Sequence, residues 1–513
     1  MKGMTDDGEN KKRSAASVDD EQSAKRTKAA ADVAPAPAED FSNEYQGFKL
    51  SQSTSIDRVK MSDLTPESFY RDYVAKRKPC VITGCLTDPE WHVSQKWTSY
   101  SYLKEKAGGV EIAAEKRTNA TDKFGQGNEV KLKFSDFLDL LEAGSDSYYL
   151  TTQDVKTDSG GRPHVMAPFM QCLSDDFPIR PKLTGNLIPQ NINVWMGLSR
   201  DGSSSGLHHD YHDNMYAIIV GRKRFDLYAP SDAVNVYTRG QLKRIHKNGR
   251  INYVGEETNA DGSHAQAEKA LDASICQERA VEELEEAEAA LERGDDGAKE
   301  RLEKAEKALD EAMEAVMDAE EGDDADVGGD DSDGNDDDAC IDDEEDFWQA
   351  AEKRKMELIE KGDDASPNLN PTKGLSHSTQ VTPRDGDYRY DEGHDEDDFA
   401  FEGEGRSVDK TVKDPLNFSL VDTALDAAAL EENFPRYSEA RKATVDIASG
   451  DMLYLPASWF HEVTSYGSSK DEKGSGGGHH MAFNYWFHPP DGESFEQPYA
   501  SSFWPKDWAL RKF

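Results

Sequence analysis

The sequence is poor in cysteine, and no two of its cysteines are spaced as a metal-binding or redox pair. Five cysteines are scattered over 513 residues, and no Cys-x-x-Cys arrangement occurs. Small secreted domains depend on dense disulfides, and structural zinc sites depend on closely spaced cysteine pairs. The cysteine content therefore argues against a disulfide scaffold and a zinc finger, and it indicates a reducing compartment.

Long apolar runs are also missing. No stretch approaches the roughly 18 to 20 consecutive apolar residues that cross a bilayer. The first residues have no signal-peptide pattern either. We expect a soluble intracellular protein without a membrane partner.

Positive charge is scarce as well. The chain has 60 Lys and Arg against 102 Asp and Glu, a net charge of −42, and only 36% apolar residues. This composition favours one core of ordinary size with long polar additions over several packed domains. Because no basic surface survives outside the N-terminal tail, direct nucleic-acid binding is not expected.

The N-terminal tail, residues 1–43, has almost no large apolar side chains, so we predict that it is disordered. Its two basic clusters, Lys11-Lys12-Arg13 and Lys25-Arg26-Thr27-Lys28, are separated by eleven residues. This layout is typical of a bipartite nuclear-import signal, and the alternative is a solvated charged tail. We expect a nuclear protein, with the cytoplasm as a second location.

Apolar patterns predict one folded domain made of two segments, residues 44–230 and 415–513. The predicted elements are a helix at 69–74, strands at 79–84, 147–153, 190–197, 444–447, 451–456 and 481–487, a helix at 131–141, and a terminal helix at 501–513.

Between these segments, residues 231–414 show no alternating strand pattern, and we interpret them as an acidic insertion, since long surface insertions cost little closure entropy. Residues 266–321 predict two helices joined at 294–297, with an alanine-rich stripe that fits a simple helical hairpin better than a partner site. The stripe consists of Leu284, Ala287, Leu291, Leu302, Ala305, Leu309, Ala312 and Val316. We predict disorder at 323–346 and 363–414, and a short amphipathic helix near Phe347.

The strongest chemical signal is a His-x-Asp pair, His208 and Asp210, at the start of an apolar β-like run. Residues two apart on a strand point to the same face and can reach one metal ion. An imidazole nitrogen and a carboxylate oxygen are two of the three ligands of the facial triad that holds non-haem Fe(II). The third ligand should be a distant histidine, and His461 is the candidate.

A lysine on the apolar face of the next strand is the second signal. If residues 222–228 form a strand, Lys223, Phe225 and Leu227 share one face. An unpaired buried ammonium costs several kcal/mol, so this lysine needs an anionic partner. An organic acid bound beside the metal would supply one.

Three motifs in chain order carry a family resemblance: Leu207-His208-His209-Asp210, Gly221-Arg222-Lys223, and residues 450–461, Gly-Asp-Met-Leu-Tyr-Leu-Pro-Ala-Ser-Trp-Phe-His. Together they resemble a JmjC domain of the cupin-like, small-hydroxylase branch, with lysyl hydroxylases as the nearest members. The resemblance implies a mainly β fold, a double-stranded β-helix (jelly-roll) with flanking helices, here interrupted by the long acidic insertion. It also implies Fe(II), 2-oxoglutarate as cosubstrate, and O2.

Carried over to this chain, the resemblance assigns the metal to His208, Asp210 and His461. Lys223 would pair with the far carboxylate of 2-oxoglutarate. The remaining cosubstrate contacts would be Tyr149, Ser205, Asn214 and Asn484, with the hydroxyl of Ser205 replacing a common threonine. No catalytic residue beyond the metal site is implied.

The resemblance implies a 2-oxoglutarate-dependent dioxygenase that hydroxylates a protein side chain, lysyl or related, and releases succinate and CO2. Two alternatives stay open: a histone N-methyl-lysine demethylase, and a non-catalytic chaperone that binds histones or ribosomal proteins through its acidic insertion. The acidic insertion favours a basic protein or peptide as partner in each case. The aromatic terminal helix would suit a homodimer contact, as in some relatives.

Overall fold

The computed structural model describes residues 41–117, 128–158, 162–199, 202–264, 266–320, 415–468 and 478–511. Several predictions lie outside these ranges: the two basic clusters and nearly all of the tail, the disorder at 323–346 and 363–414, and the helix near Phe347.

The strands of the described ranges are numbered in chain order. They are β1 Ser42–Asn43, β2 Asp57–Lys60, β3 Cys80–Thr83, β4 Glu111–Lys116, β5 Asn128–Lys133, β6 Tyr148–Leu150, β7 Pro189–Leu198, β8 Ser203–Ser204, β9 His208–His209, β10 Asp213–Val220, β11 Arg222–Tyr228, β12 Leu242–Ile245, β13 Ile251–Tyr253, β14 Lys442–Ala448, β15 Asp451–Leu455, β16 Phe460–Tyr466 and β17 His479–Phe487.

The helices flank these strands. They cover Pro66–Phe69 continued by a π turn at Tyr70–Val74, then Val93–Lys96, Tyr100–Ala107, Phe134–Glu142, Pro168–Gln171, Ala267–Glu292, Ala298–Glu320, Ala427–Asn433 and Phe503–Leu510. Short 3-10 turns lie at Met61–Asp63, Ser174–Asp176, Lys182–Thr184, Pro230–Asp232 and Pro435–Glu439. Within the described ranges, no helix combines the length and the apolar character needed to cross a membrane.

The strands form two principal sheets. The larger has nine strands in the order β2-β3-β15-β10-β17-β7-β6-β4-β5, and the smaller contains β14-β11-β16-β8, with β9 also paired to β16. β10 lies in the larger sheet and β11 in the smaller. In the second segment, β14 and β16 lie in the smaller sheet and β15 and β17 in the larger. This winding is the predicted double-stranded β-helix, and the mainly β, cupin-like fold with flanking helices is confirmed.

The two sequence segments are interleaved in both sheets. β10 lies between β15 and β17, and β11 lies between β14 and β16. Every one of these pairings is antiparallel. Each central strand of the first segment therefore receives both of its neighbours from the second.

The chain changes sheet at Gly221, between β10 and β11. This residue has φ +83°, a left-handed conformation that glycine adopts without steric cost. A Cβ at this position would lie 2.6 Å from the carbonyl oxygen of Tyr466. The corner between β14 and β15 is made in the same way at Gly450, with φ +90°.

Strand β10 shows how the core is divided. Met215, Ala217 and Ile219 face the helices that cover the larger sheet, and Tyr216 and Ile218 face the space between the two sheets. Because both faces of the strand are buried, its sequence is apolar at nearly every position rather than at alternate ones.

A buried ion pair ties β10 to three other parts of the fold. Arg77 donates to both carboxylate oxygens of Asp213 and, through Nε, to the carbonyl of Asn248 at 2.9 Å. The same carboxylate accepts the hydroxyl of Tyr454 at 2.7 Å and the backbone N–H of Ala457 at 2.9 Å. Both charged side chains are buried, and the surrounding donors offset the cost of removing the carboxylate from water.

Residues 231–264 contain two strands, although none was predicted between residues 231 and 414. For this range that prediction is wrong. β12 and β13 pair with each other, and β12 pairs in parallel with β1. Ile245, Ile251 and Tyr253 are fully buried. The strands are only three or four residues long, and Lys243 and Arg244 interrupt the apolar pattern of β12, so no period can be recognised in these residues.

The described residues belong to two compact units, one within Met1–Leu271 and Pro383–Phe513 and the other within Asp272–Thr382. In the second unit, buried alanines recur every seven residues, which is the spacing of a packed helical seam. They are Ala273, Ala280 and Ala287 on the first helix, and Ala298, Ala305, Ala312 and Ala319 on the second. The two predicted helices are confirmed, but Leu291 of the predicted stripe is exposed, because alanines occupy the buried positions instead.

The predicted C-terminal helix is confirmed at Phe503–Leu510. Trp504 is buried, stacks on His488 and donates its indole N–H to the carbonyl of Asp261. This tryptophan is therefore part of the core of its own unit.

We expect Arg77→Ala to destabilise the protein by about 3 to 5 kcal/mol, because it leaves the Asp213 carboxylate buried without its cation. Denaturant unfolding followed by tryptophan fluorescence measures the change. Arg71→Ala is the matched control, since Arg71 lies six residues earlier in an exposed pair with Asp72 and should have little effect. Equal stability of the two variants would contradict this account of the ion pair.

Candidate metal centre

The two candidate histidine ligands are direct neighbours across a strand pair. β9 pairs with β16 in antiparallel register, with His208 opposite His461, and the two ring centroids are 4.4 Å apart. Directly opposed residues project to the same face of a sheet. The register thus brings together two imidazoles from distant parts of the sequence.

Asp210 follows β9 and completes the cluster. Its Oδ2 lies 3.7 Å from Nε2 of His461, and its backbone carbonyl accepts the N–H of Ser458 at 2.7 Å. One ligand atom from each of His208, Asp210 and His461 lies within 4.8 Å of the others. The His-x-Asp pair spans the end of a two-residue strand and the following connection, so it does not lie on one continuous strand as expected.

Backbone carbonyls fix the orientation of both imidazoles. Nδ1 of His208 donates to the carbonyl of Gly206 at 3.0 Å, and Nδ1 of His461 donates to the carbonyl of Trp459 at 2.9 Å. A carbonyl only accepts, so each Nδ1 carries the proton and each Nε2 keeps its lone pair. This second layer of hydrogen bonds is typical of metal-binding histidines.

Burial keeps His208 neutral. Removal from water, followed by the proximity of His461, lowers its pKa to about 4, while the Asp210 carboxylate acts in the opposite direction. The ring of Phe418, from the second sequence segment, stacks on it at 4.8 Å. At neutral pH the imidazole is therefore a neutral donor, the form that coordinates metals.

The residues adjacent to the ligands face elsewhere. Nε2 of His209 lies 2.8 Å from the hydroxyl of Tyr253 on the opposite side of the strand, and Glu462 accepts a hydrogen bond from Ser204. Both observations agree with the expected alternation.

Lys223 lies on the inner face of β11, as its position in the sequence predicts. It is 3% exposed and shares that face with buried Phe225 and Leu227. Its Nζ lies 3.4 Å from the hydroxyl of Tyr149 and 5.1 Å from the centre of the Tyr216 ring. Within the described residues, no carboxylate lies in ion-pair range of this ammonium, and burial lowers the pKa of Lys223 to about 7.

The other predicted cosubstrate residues divide into two groups. Asn484 donates to Asn214 at 3.2 Å and accepts the indole N–H of Trp195 at 2.9 Å, all on the inner face of the larger sheet. Ser205 instead accepts the backbone N–H of Val463 at 3.1 Å and donates to the carbonyl of Gly206. Its hydroxyl is thus occupied in holding the loop before β9 against β16.

Four residues around the candidate site were not predicted. They are Trp195, Tyr216, Phe418 and His480. Tyr216 and Trp195 lie on strands that are buried on both faces, and His480 adjoins a second histidine, so periodicity could not select any of them. The pairing of β7, β10 and β17 and the bridge between His208 and Phe418 would have been needed to place them.

Comparison with known proteins agrees with this geometry. Residues 66–493 match the cupin-like domain family, which is the class that the fold defines. JmjC domain-containing protein 4 of Schizosaccharomyces pombe is 32% identical over 480 residues, which make up 89% of this chain and 89% of that protein. The chain belongs to the cupin-like JmjC family, and the predicted resemblance is confirmed.

Two further relatives match over shorter lengths. The bifunctional peptidase and (3S)-lysyl hydroxylase JMJD7 of Homo sapiens is 28% identical over 203 residues, covering 38% of this chain and 61% of that protein. The lysine-specific demethylase JMJ32 of Arabidopsis thaliana is 26% identical over 198 residues, covering 37% of this chain and 55% of that protein. The family thus includes proteins named for more than one activity on lysine.

We expect His208→Ala to weaken Mn(II) binding by at least about a hundredfold, because a ligand matters more than the outer hydrogen bonds that orient it. Mn(II) accepts nitrogen and oxygen ligands and is followed by electron paramagnetic resonance. The control is His209→Phe, which changes the adjacent histidine on the opposite side and should retain one bound Mn(II). Loss of binding in both variants would indicate disturbance of the fold rather than loss of a ligand.

Proposed function

We propose that this protein is an Fe(II)- and 2-oxoglutarate-dependent dioxygenase that hydroxylates a protein side chain, lysyl or related. Two observations together support it best. Two histidines and one carboxylate form a cluster between the two sheets, and between the same sheets Lys223 is buried without a carboxylate partner among the described residues. The cluster suits a divalent iron, and the lysine suits an organic acid. Membership of the JmjC family favours the same pairing.

The three residues fit the metal in their donor set. Nε2 of His208, Nε2 of His461 and a carboxylate oxygen of Asp210 would hold it, and a metal with three protein ligands would still be able to bind the cosubstrate and O2. When bound, iron with 2-oxoglutarate and O2 supplies the oxidising power: one oxygen atom enters the substrate C–H bond as a hydroxyl, and 2-oxoglutarate leaves as succinate and CO2.

The side chains around the cluster would orient the cosubstrate. The Lys223 ammonium and the Tyr149 hydroxyl are the donors for its far carboxylate. Asn214 and Asn484 present amides from neighbouring strands. Ser205 would act through the loop that carries His208, because its hydroxyl holds that loop against β16. Buried Phe225 and Leu227 exclude water on the same face of β11 as Lys223.

The nature of the target is inferred from named relatives and from charge. The human relative is named a (3S)-lysyl hydroxylase, which favours lysine as the modified residue. The second candidate activity, N-methyl-lysine demethylation of a histone, is favoured by the name of the plant relative. A net charge of −42 favours a basic protein or peptide, histone or ribosomal, in either case.

We also propose a nuclear location, based on the two basic clusters of the tail, and a homodimer through the C-terminal region. Since Trp504 is buried within its own unit, a dimer contact would depend on the other residues of that region.

Purified protein with Fe(II), ascorbate and O2 should convert 2-oxoglutarate to succinate. His208→Ala should abolish this turnover through loss of the metal, and Lys223→Ala should abolish it through loss of the cosubstrate. Succinate is measured by mass spectrometry. Absence of both succinate and bound iron in the wild type would exclude the oxygenase proposal for this protein.

With histone and ribosomal peptides as substrates, the same assay separates the two activities. Hydroxylation adds one oxygen atom to the peptide, whereas demethylation removes a methyl group as formaldehyde. An unmethylated lysine peptide that gains one oxygen without formaldehyde would support the hydroxylase.

Binding of 2-oxoglutarate should weaken as the pH rises from 7 to 9. Free Lys223 has a pKa of about 7, so above this pH it is neutral and must take up a proton to meet the carboxylate. The dissociation constant should rise by up to about tenfold per pH unit, measured by calorimetry on Mn(II)-loaded protein. Lys223→Met should bind weakly and show no such slope, and a wild-type constant unchanged over this range would contradict the assigned role of Lys223.

A further inference from the structure

His480 is a buried histidine on the inner face of β17. It lies opposite Gly197 of β7 and shares its face with Ala482 and Asn484. It is 1% exposed. Neither of its ring nitrogens has a hydrogen-bond partner among the residues that the structure describes.

Its neighbours are the two donors assigned to the far carboxylate of the cosubstrate. The ring centroid of His480 is 5.6 Å from that of Tyr149. Burial, followed by the charge of Lys223, lowers the pKa of His480 well below its ordinary value. The imidazole is therefore neutral, and it keeps one N–H to donate.

Gly197 allows the two rings to lie side by side. A Cβ at this position would be 2.7 Å from Cδ2 of Tyr149 and 3.4 Å from Nε2 of His480. A larger residue would displace the Tyr149 ring, since real Cβ atoms do not approach so closely. The glycine at position 197 of β7 therefore leaves the space that the side chains of Tyr149 and His480 occupy.

The cluster has donors but lacks an anion. Lys223 is a buried lysine without a carboxylate in ion-pair range within the described residues, and the buried N–H of His480 is unpaired. An unpaired buried polar group costs free energy comparable to a lost hydrogen bond. A single carboxylate with two oxygens would satisfy both groups.

We propose that His480 donates a hydrogen bond to the far carboxylate of 2-oxoglutarate, alongside Lys223, and so selects for a dicarboxylic keto acid. This assignment deepens the proposed function and rests on it. His480 acts by positioning the cosubstrate and takes no part in the chemistry at the metal.

The test compares two keto acids on Mn(II)-loaded protein by calorimetry. 2-Oxopentanoate has a methyl group where 2-oxoglutarate has its far carboxylate. His480→Leu should weaken 2-oxoglutarate binding by about tenfold to a hundredfold, the effect of losing a hydrogen bond to a charged group. The same substitution should leave 2-oxopentanoate binding and Mn(II) affinity unchanged.

Two variants complete the design. His480→Gln keeps an N–H donor and should recover at least part of the lost affinity. His479→Leu is the matched control, since His479 lies next in sequence on the other side of β17, where Tyr100 contacts it at 3.0 Å, and it should bind 2-oxoglutarate as the wild type does.

The outcomes separate this inference from the proposed function. If the wild type does not bind 2-oxoglutarate, the proposed function itself fails. If the wild type binds it and Lys223→Met abolishes binding, but His480→Leu binds normally, only the role of His480 is overturned. Equal weakening by His480→Leu and His480→Gln, or equal weakening for both keto acids, would also overturn it, because shape rather than a hydrogen bond would then be responsible.

Discussion

The buried pair of Arg77 and Asp213 is the interaction on which the rest of the site depends. Asp213 begins β10 three residues after Asp210, and its carboxylate accepts the N–H of Ala457, four residues before His461. One carboxylate thus fixes the position of both ligand-bearing segments. Arg77 adds the carbonyl of Asn248 to the same cluster. A pair with this many partners is costly to break, since each remaining group would be left buried and unsatisfied.

The metal cluster tolerates a long stretch of chain between its ligands because the sheets, rather than the local sequence, set its geometry. β11 and β14 are adjacent in space although more than two hundred residues separate them in the sequence. The entropy of closing a loop grows only with the logarithm of its length, about 0.6 kcal/mol per doubling. Extra residues at this point therefore cost little, provided that β14 and β16 still pair with β11.

The sequence was most informative where chemistry and periodicity coincide. The alternation of Lys223, Phe225 and Leu227 identified the inner face of β11, and the His-x-Asp pair identified two members of the cluster. Contacts that depend on register could not be predicted, because Arg77 meets a partner 136 residues away and His480 meets Tyr149 across Gly197. The short strands β12 and β13 were missed because three or four residues contain too few repeats to reveal a period.

The interleaving of the two segments has a consequence for biosynthesis. When β10 and β11 leave the ribosome, β14, β15, β16 and β17 do not yet exist, so both edges of each central strand lack these neighbours. At a synthesis rate of about 5 to 20 residues per second, translation of the roughly two hundred residues between β11 and β14 takes on the order of 10 to 40 seconds. Unpaired apolar strands are templates for aggregation. Neither sheet can therefore be completed before the intervening region has been translated, and the metal cluster, which needs His461 on β16, cannot form earlier.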